Sequence, residues 1–222
     1  MDIHEAVHAR HAVRKFLPHK IEGGTLTLLN EEIERCRKES GLNINLALQS
    51  PQAFGNFTDH YGFFSGVQNY IALGGADSPD LEEKVGYWGE QIVLKAQMIG
   101  LSTCWVGQSY SRRKTKISLA PGEKLVCVIP IGYGATRGVP HKSRPMAKLC
   151  RCDGQMPDWF RRGMEYVMLA PSGLNQQNVL FVLGGGNRVF AQGTGGFFAQ
   201  VDLGIAKFHF ELGAGKDNFV WG

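Results

Sequence analysis

Leu125–Ile131 reads LVCVIPI, seven residues without a charged side chain between Lys124 and Gly132. The run is far short of the roughly 18 apolar residues of a membrane span. A continuous apolar stretch of this length is a strand buried on both faces, because a strand with one wet face would alternate. Pro130 is out of place in such a strand, having no N–H to give a neighbour, but the apolar residues around it outweigh that defect. The chain is therefore expected to be built round a central sheet flanked by helices.

The helices are legible from their period. Residues 2–14 place Ile3, Ala6, Val7 and Val13 as the apolar face of a short amphipathic helix ending before Pro18. Thr25–Lys38 carries Leu26, Leu29, Ile33 and Cys36 at three- and four-residue spacing. Leu81–Ile99 is the strongest helix, striped by Val85, Trp88, Ile92, Leu94, Ala96 and Ile99, with Gly100 at its C-terminus. Two more helices are expected, at Pro157–Ala170 and Ala199–Leu212, the latter with Val201, Ile205, Phe208 and Leu212 on one face. Strands fall at Tyr70–Gly74, after a stretch rich in Gly, Asn and Phe, and at Val179–Leu183 and Arg188–Gln192. The last two are joined as a hairpin by Gly184-Gly185-Gly186-Asn187. Gly132–Arg144 has no period and reads as a loop.

Composition excludes several classes. A net charge of +4 without long basic runs argues against a nucleic-acid footprint and for an anionic small molecule as substrate or ligand. The five cysteines follow no disulfide or zinc spacing, so neither a disulfide framework nor a metal site is expected, and a reducing cytoplasm fits best. No signal peptide or membrane span is legible. The 29 glycines are roughly twice an ordinary share, which points to tight turns or close backbone approach to a ligand.

Three segments carry recognition chemistry. Arg10-His11-Ala12-Val13-Arg14 sets two guanidinium groups four residues apart, on one face if helical, and their planar forks match phosphate oxygens. His141-Lys142-Ser143-Arg144 follows the buried strand, where cations meet a ligand in a sheet-end crevice. Ala170-Pro171-Ser172-Gly173-Leu174-Asn175-Gln176-Gln177 offers neutral donors and acceptors that suit a flat heterocycle or a polyol. Each segment read alone is equally a solvated basic face, a charged loop or a plain turn. Gly184-Gly185-Gly186 lacks the Lys and Ser/Thr of a phosphate loop. His209 reads as a packed histidine, and Cys104 has no base placed beside it by sequence.

Two traces suggest an internal repeat. Ser40-Gly41-Leu42-Asn43 recurs as Ser172-Gly173-Leu174-Asn175, each after a helix. Cys104-Trp105-Val106-Gly107 is loosely echoed by Val220-Trp221-Gly222.

Together these segments resemble the nitroreductase family. Arg10 through Phe16 resembles its N-terminal basic motif, and Glu90–Gly107 (EQIVLKAQMIGLSTCWVG) its central helix and following loop. Lys142-Ser143-Arg144 is similar to its late basic tripeptide, and Ala170–Gln177 to its Ala-Pro-Ser-x-x-Asn-x-Gln segment. Here that last segment follows the basic loop instead of the N-terminal motif. The order resembles a branch in which one duplicated chain mimics the whole dimer.

The resemblance implies an α+β, nitroreductase-like fold with a central mixed or antiparallel sheet, internally duplicated as a pseudo-dimer. Residues 1–222 would form one unit, with 1–145 as the first half and 146–222 as the second. It implies an FMN-dependent oxidoreductase taking electrons from NADH or NADPH and passing them to nitroaromatic, quinone or similar acceptors. Arg10, His11, Arg14 and Arg144 would hold the phosphate and ribityl chain, with Ala12 in place of the family's Ser. Lys142 would sit by the pyrimidine edge. Thr103, Val106 and Gly107 would approach through backbone, and Pro171, Ser172, Gly173 and Asn175 would line the ring, with Asn178-Val179 where the family has Pro-Trp. No catalytic side chain is implied. A single site per chain suits a monomer, or a dimer through another surface. The rival readings are a non-catalytic FMN-binding or flavin-sensing protein, and an interaction protein that kept the fold and lost the flavin.

Overall fold

A computed structural model describes residues 1–54 and 64–222 of the chain. The turn-rich stretch expected before Tyr70 falls largely on residues 55–63, outside the described residues. The chain forms two units, Met1–Leu81 with Gln91–Pro140, and Glu82–Glu90 with His141–Gly222.

The first unit carries one four-stranded antiparallel sheet. Its strands are β1 (Asn43–Ala47), β2 (Asn69–Ala76), β3 (Ser102–Thr103) and β4 (Glu123–Gly132), in the order β1-β2-β4-β3. The apolar run is β4, an interior strand as its composition requires, with Val128, Ile129 and Ile131 at most 1% exposed. Pro130 lies opposite Tyr70, where the other neighbour is the short β3. Ala47, Tyr70, Ala72, Leu125 and Val128 pack with Val106 and Tyr110 into one cluster.

Helix α1 spans only Ile3–Ala9, started by an Asp2–Glu5 capping box. The helix expected over 2–14 therefore stops early, and Arg10 is its C-cap in an extended conformation (φ −71°, ψ 121°). The cause is tertiary: the Val13 N–H donates to Thr103 C=O at 3.0 Å and the Phe16 N–H to Ser65 C=O at 2.9 Å, bonds a helix could not make. Helix α2 (Gly23–Ser40) buries Leu29, Ile33 and Cys36 as its spacing predicts, and ends on Gly41 at φ 72°.

The second unit has its own sheet, β5 (Cys150–Cys152), β6 (Val179–Leu183), β7 (Arg188–Gly193) and β8 (Val220–Trp221), in that order. The β6–β7 pairing is the antiparallel hairpin read from sequence, while β5 and β8 add in parallel. Two four-stranded sheets thus replace the single central sheet expected. The two copies of Ser-Gly-Leu-Asn also differ. Asn43 opens β1, whereas Leu174 and Asn175 form a tight turn with φ 51° and 56°.

Helix α5 (Ala199–Ala214) is buried on all sides, not on one face, so Asp202, His209 and Glu211 lie inside with Leu203, Ala206 and Phe210. Helix α4 (Asp158–Val167) packs Phe160 and Gly163 against Phe210. Helix α3 (Leu81–Met98) begins with Glu82–Glu90 in this unit, where Gly86 faces the Val201 carbonyl and Gly204 faces the Glu83 carbonyl. Reciprocal glycines let the two backbones touch, and a Cβ at either position would overlap the opposing oxygen.

Candidate functional site

In the first unit, residues 10–16 run as an extended segment. Ala12 forms a parallel bridge with Thr103, and Phe16 an antiparallel one with Gly134. Arg10 and Arg14 are consequently not neighbours on a helix face. In extended chain, positions four apart lie about 13 Å apart, a gap that long arginine side chains can close. Burial pushes the Cys104 thiol up, and Arg14 and Arg10 both oppose that shift. Arg10 is 5% exposed, whereas Arg14 is open to solvent. His11 is half-buried beside Gly138, whose missing Cβ would stand 2.7 Å from the His11 Cβ and 2.9 Å from the Ala12 carbonyl.

The other expected members of this unit are tied to the sheet. Thr103 receives the Val13 N–H, and Val106 exchanges both backbone bonds with Val128, at 2.9 and 3.0 Å. Gly107 is half-buried just beyond. Cys104 is buried and held as a thiol, which does not suit a nucleophile.

In the second unit the structure brings the basic tripeptide and the Ala-Pro-Ser segment together. Asn175 Nδ2 and Gln177 Nε2 each donate to Lys142 C=O at 3.0 Å, and the Arg144 N–H donates to Gln177 Oε1 at 2.8 Å. Gln177 Nε2 also donates to Asn175 Oδ1 at 2.9 Å, and the Gln177 N–H to Ser172 Oγ at 3.0 Å. His141 Nε2 and Ser143 Oγ lie 2.9 and 2.7 Å from Met168 C=O. The side chains of Lys142 and Arg144 are exposed. Gln177, 5% exposed, is the linchpin, with φ 50°. Three non-glycine residues at positive φ within four positions is strain, of order 1 kcal/mol or more each, held by this hydrogen-bond set.

Gly173 has a second set of neighbours. A Cβ there would lie 2.7 Å from Phe198 Cδ2, so the room left by glycine is filled by an aromatic ring. The Gly173 N–H lies 2.9 and 3.1 Å from the two carboxylate oxygens of Asp202. Pro171, Ser172, Gln177 and Asp202 face a small cavity otherwise lined by Leu149, Val167, Ala170, Val179 and Ala206, with room on the order of one water. Burial pushes the Asp202 carboxyl up to about 6 despite the Gly173 hydrogen bond. Asn178, in place of the family's Pro, donates to Gly195 C=O at 2.9 Å, and Val179 starts β6. Sequence reading missed Asp202. An acidic residue in the first turn of a largely apolar helix was its one available signal.

Among the described residues no group of three or more His, Cys, Asp or Glu could hold a metal ion, and no helix is long and apolar enough to cross a membrane. The helices and the two four-stranded sheets of the described residues, with a cationic extended segment and a braced polar loop, define an α+β protein of the nitroreductase-like fold. The family described as "Putative TM nitroreductase" matches residues 2–214, and the chain belongs to it. A crystal structure of a "putative nitroreductase" from Thermotoga maritima is similar at 26% identity and TM-score 0.64, over 96% of this chain and 83% of that one. Another from Desulfovibrio desulfuricans, in complex with FMN, gives 15% identity and TM-score 0.53 over 67% and 94%. A "Putative NADH dehydrogenase/NAD(P)H nitroreductase" from Parabacteroides distasonis gives 16% and 0.51 over 69% and 98%. No curated protein matches the chain.

Proposed function

We propose that the protein is an FMN-dependent oxidoreductase, passing electrons from NADH or NADPH to a nitroaromatic, a quinone or a similar organic acceptor in alternating half-reactions. The observation that carries this reading is the extended cationic segment Arg10–Arg14, tied to Thr103 through the Ala12 bridge. Two guanidinium groups on one short segment are a donor set that fits a terminal phosphate. Family membership supports the redox class, and the Desulfovibrio relative in complex with FMN supports the choice of flavin.

When bound, FMN supplies the hydride and electron transfer. The chain's own residues bind and orient. We assign Arg10, His11, Arg14 and Arg144 to the phosphate and ribityl chain, Ser172 and its neighbours to the ring, and Lys142 to favouring negative charge on it. No side chain is assigned as a general acid or base.

The test is purification followed by release of the cofactor by heat, and steady-state NADH and NADPH oxidation with menadione or a nitroarene. A yellow protein that releases FMN and oxidises either nucleotide supports the reading. A protein that neither carries nor takes up FMN overturns it, and one that holds FMN without oxidising nucleotide is a flavin-binding protein only.

A further inference from the structure

Asp202 lies in the first turn of α5, where the helix N-terminus favours negative charge. It is 6% exposed, and the side chains facing its cavity are apolar apart from Ser172 and Gln177. Both carboxylate oxygens accept from one backbone donor, the Gly173 N–H. Gly173 is pinned on its other side by the Phe198 ring, four residues before Asp202 on the same chain. The strained turn that follows, Leu174 to Gln177, is thus anchored at its start by Asp202 and at its end by the Gln177 bonds to the 142–144 loop.

We propose that Asp202 is a positioning residue: its carboxylate, acting through the Gly173 N–H, holds the Pro171–Gln177 segment in its ligand-ready shape, and proton uptake at Asp202 slackens that segment. The link from the segment to FMN rests on the function proposed above. An ionised carboxylate accepts the N–H far better than the neutral acid, whose hydroxyl oxygen is a poor acceptor. Burial raises the proton affinity of Asp202 to about 6, which puts the change inside the physiological range.

Among the described residues no charged neighbour lines the cavity with Asp202. None of the other residues lining the cavity is titratable. On α5, Lys207 is paired with Glu83, His209 with Glu90 and Glu211 with Lys216. Helix α4 carries Asp158, Arg161, Arg162 and Glu165, none of which lines the cavity, nor does Arg188 of β7. His141 is engaged with Met168 C=O.

The experiment follows the Gly173 amide by NMR between pH 5 and 8, in wild type and in Asp202→Asn, with FMN affinity measured in parallel by fluorescence titration. The near-isosteric amide keeps one acceptor and cannot titrate. In wild type the Gly173 resonance should titrate with a midpoint near 6, losing protection on the acid side. In Asp202→Asn it should not titrate. FMN affinity should fall roughly three- to tenfold more in wild type than in the variant from pH 7.5 to 5.5, the scale of one weakened charge-assisted bond. The second ionisation of the FMN phosphate, at about 6, is common to both proteins and cancels in that comparison.

A Gly173 amide that does not titrate, or that titrates alike in both proteins, overturns the anchor. If Asp202→Asn does not fold, the wild-type titration alone decides. Titration of Gly173 with FMN affinity equal in its pH dependence for both proteins overturns the coupling to the flavin. Titration of Gly173 in a protein that binds no FMN at any pH supports the anchor and overturns the flavin reading instead.

Discussion

Glu90 Oε1 stands 2.9 Å from His209 Nε2, and both side chains are wholly out of solvent. The other ring nitrogen, Nδ1, lies 3.1 Å from Tyr166 C=O, which can only accept, so Nδ1 carries a hydrogen. A buried pair of this kind adds little net stability when intact, but removing one member takes from the other a hydrogen bond that water cannot replace. Glu90→Ala or His209→Ala should cost about 3–5 kcal/mol, read as a lower urea midpoint. Glu90→Gln, which can donate to Nε2, should cost clearly less. Equal losses for Ala and Gln would show that the hydrogen bond to His209 Nε2 is irrelevant.

The helix crossing in the second unit sets a second expectation. A Cβ on Gly204 would overlap the Glu83 carbonyl and lie 2.7 Å from the Tyr87 N, all of it backbone that cannot rotate away. Gly204→Ala should therefore destabilise by roughly 1–3 kcal/mol or more, seen as a drop in Tm. Gly185→Ala is the control, because nothing lies within 4 Å of a Cβ there. A neutral Gly204→Ala would mean the helices can separate without cost.

Asp202 also predicts a pH dependence of stability. Its carboxyl titrates at about 6 when folded, against 3.8 ordinarily, so between those values the folded state binds more protons than the unfolded state. Stability from this group is fully present below about pH 4 and is lost as pH rises through 6, by up to roughly 3 kcal/mol. Wild type minus Asp202→Asn, in chemical denaturation from pH 4 to 7.5, isolates the contribution. A flat difference would be the contrary result.

For the flavin, Arg10→Ala and Arg14→Ala should each weaken FMN binding by about 1.5–3 kcal/mol, roughly ten- to a hundredfold. The double variant should lose less than the sum, because the two guanidinium groups share one anion. Fluorescence titration checks this, with riboflavin, which lacks the phosphate, as the control ligand. Equal losses for FMN and riboflavin would remove the phosphate from the arginines. The Arg-x-x-x-Arg motif occurs once in the chain, so one FMN per chain is expected, and FMN rather than FAD on release.

Much of the second unit was legible along the chain. The apolar spacing of Ala199–Leu212, the turn Gly184–Asn187 and the proline before Asp158 all act within a few residues, and the hairpin and both helices stand where those signals put them. The candidate residues were legible as types: Lys142, Arg144, Ser172, Asn175 and Gln177 do meet in one braced loop pair. How they meet was not legible, since a main-chain carbonyl is the same at every position and Lys142 C=O is chosen as acceptor only once the loops are adjacent.

By itself, the sequence determined local periods, caps and turns, the family to which the motifs belong, and the need to bury Leu125–Ile131 inside a sheet. Tertiary structure alone decided that the described strands form two sheets, and that Arg10–Arg14 leave the helix because the Val13 N–H finds Thr103 C=O. It decided that His209 meets Glu90 across 119 positions, and that Gly173 is filled by Phe198 and anchored by Asp202 across 29. The reason is physical: helix period and turn chemistry are set by neighbours within about one turn, whereas a buried donor takes whichever acceptor packing delivers to it.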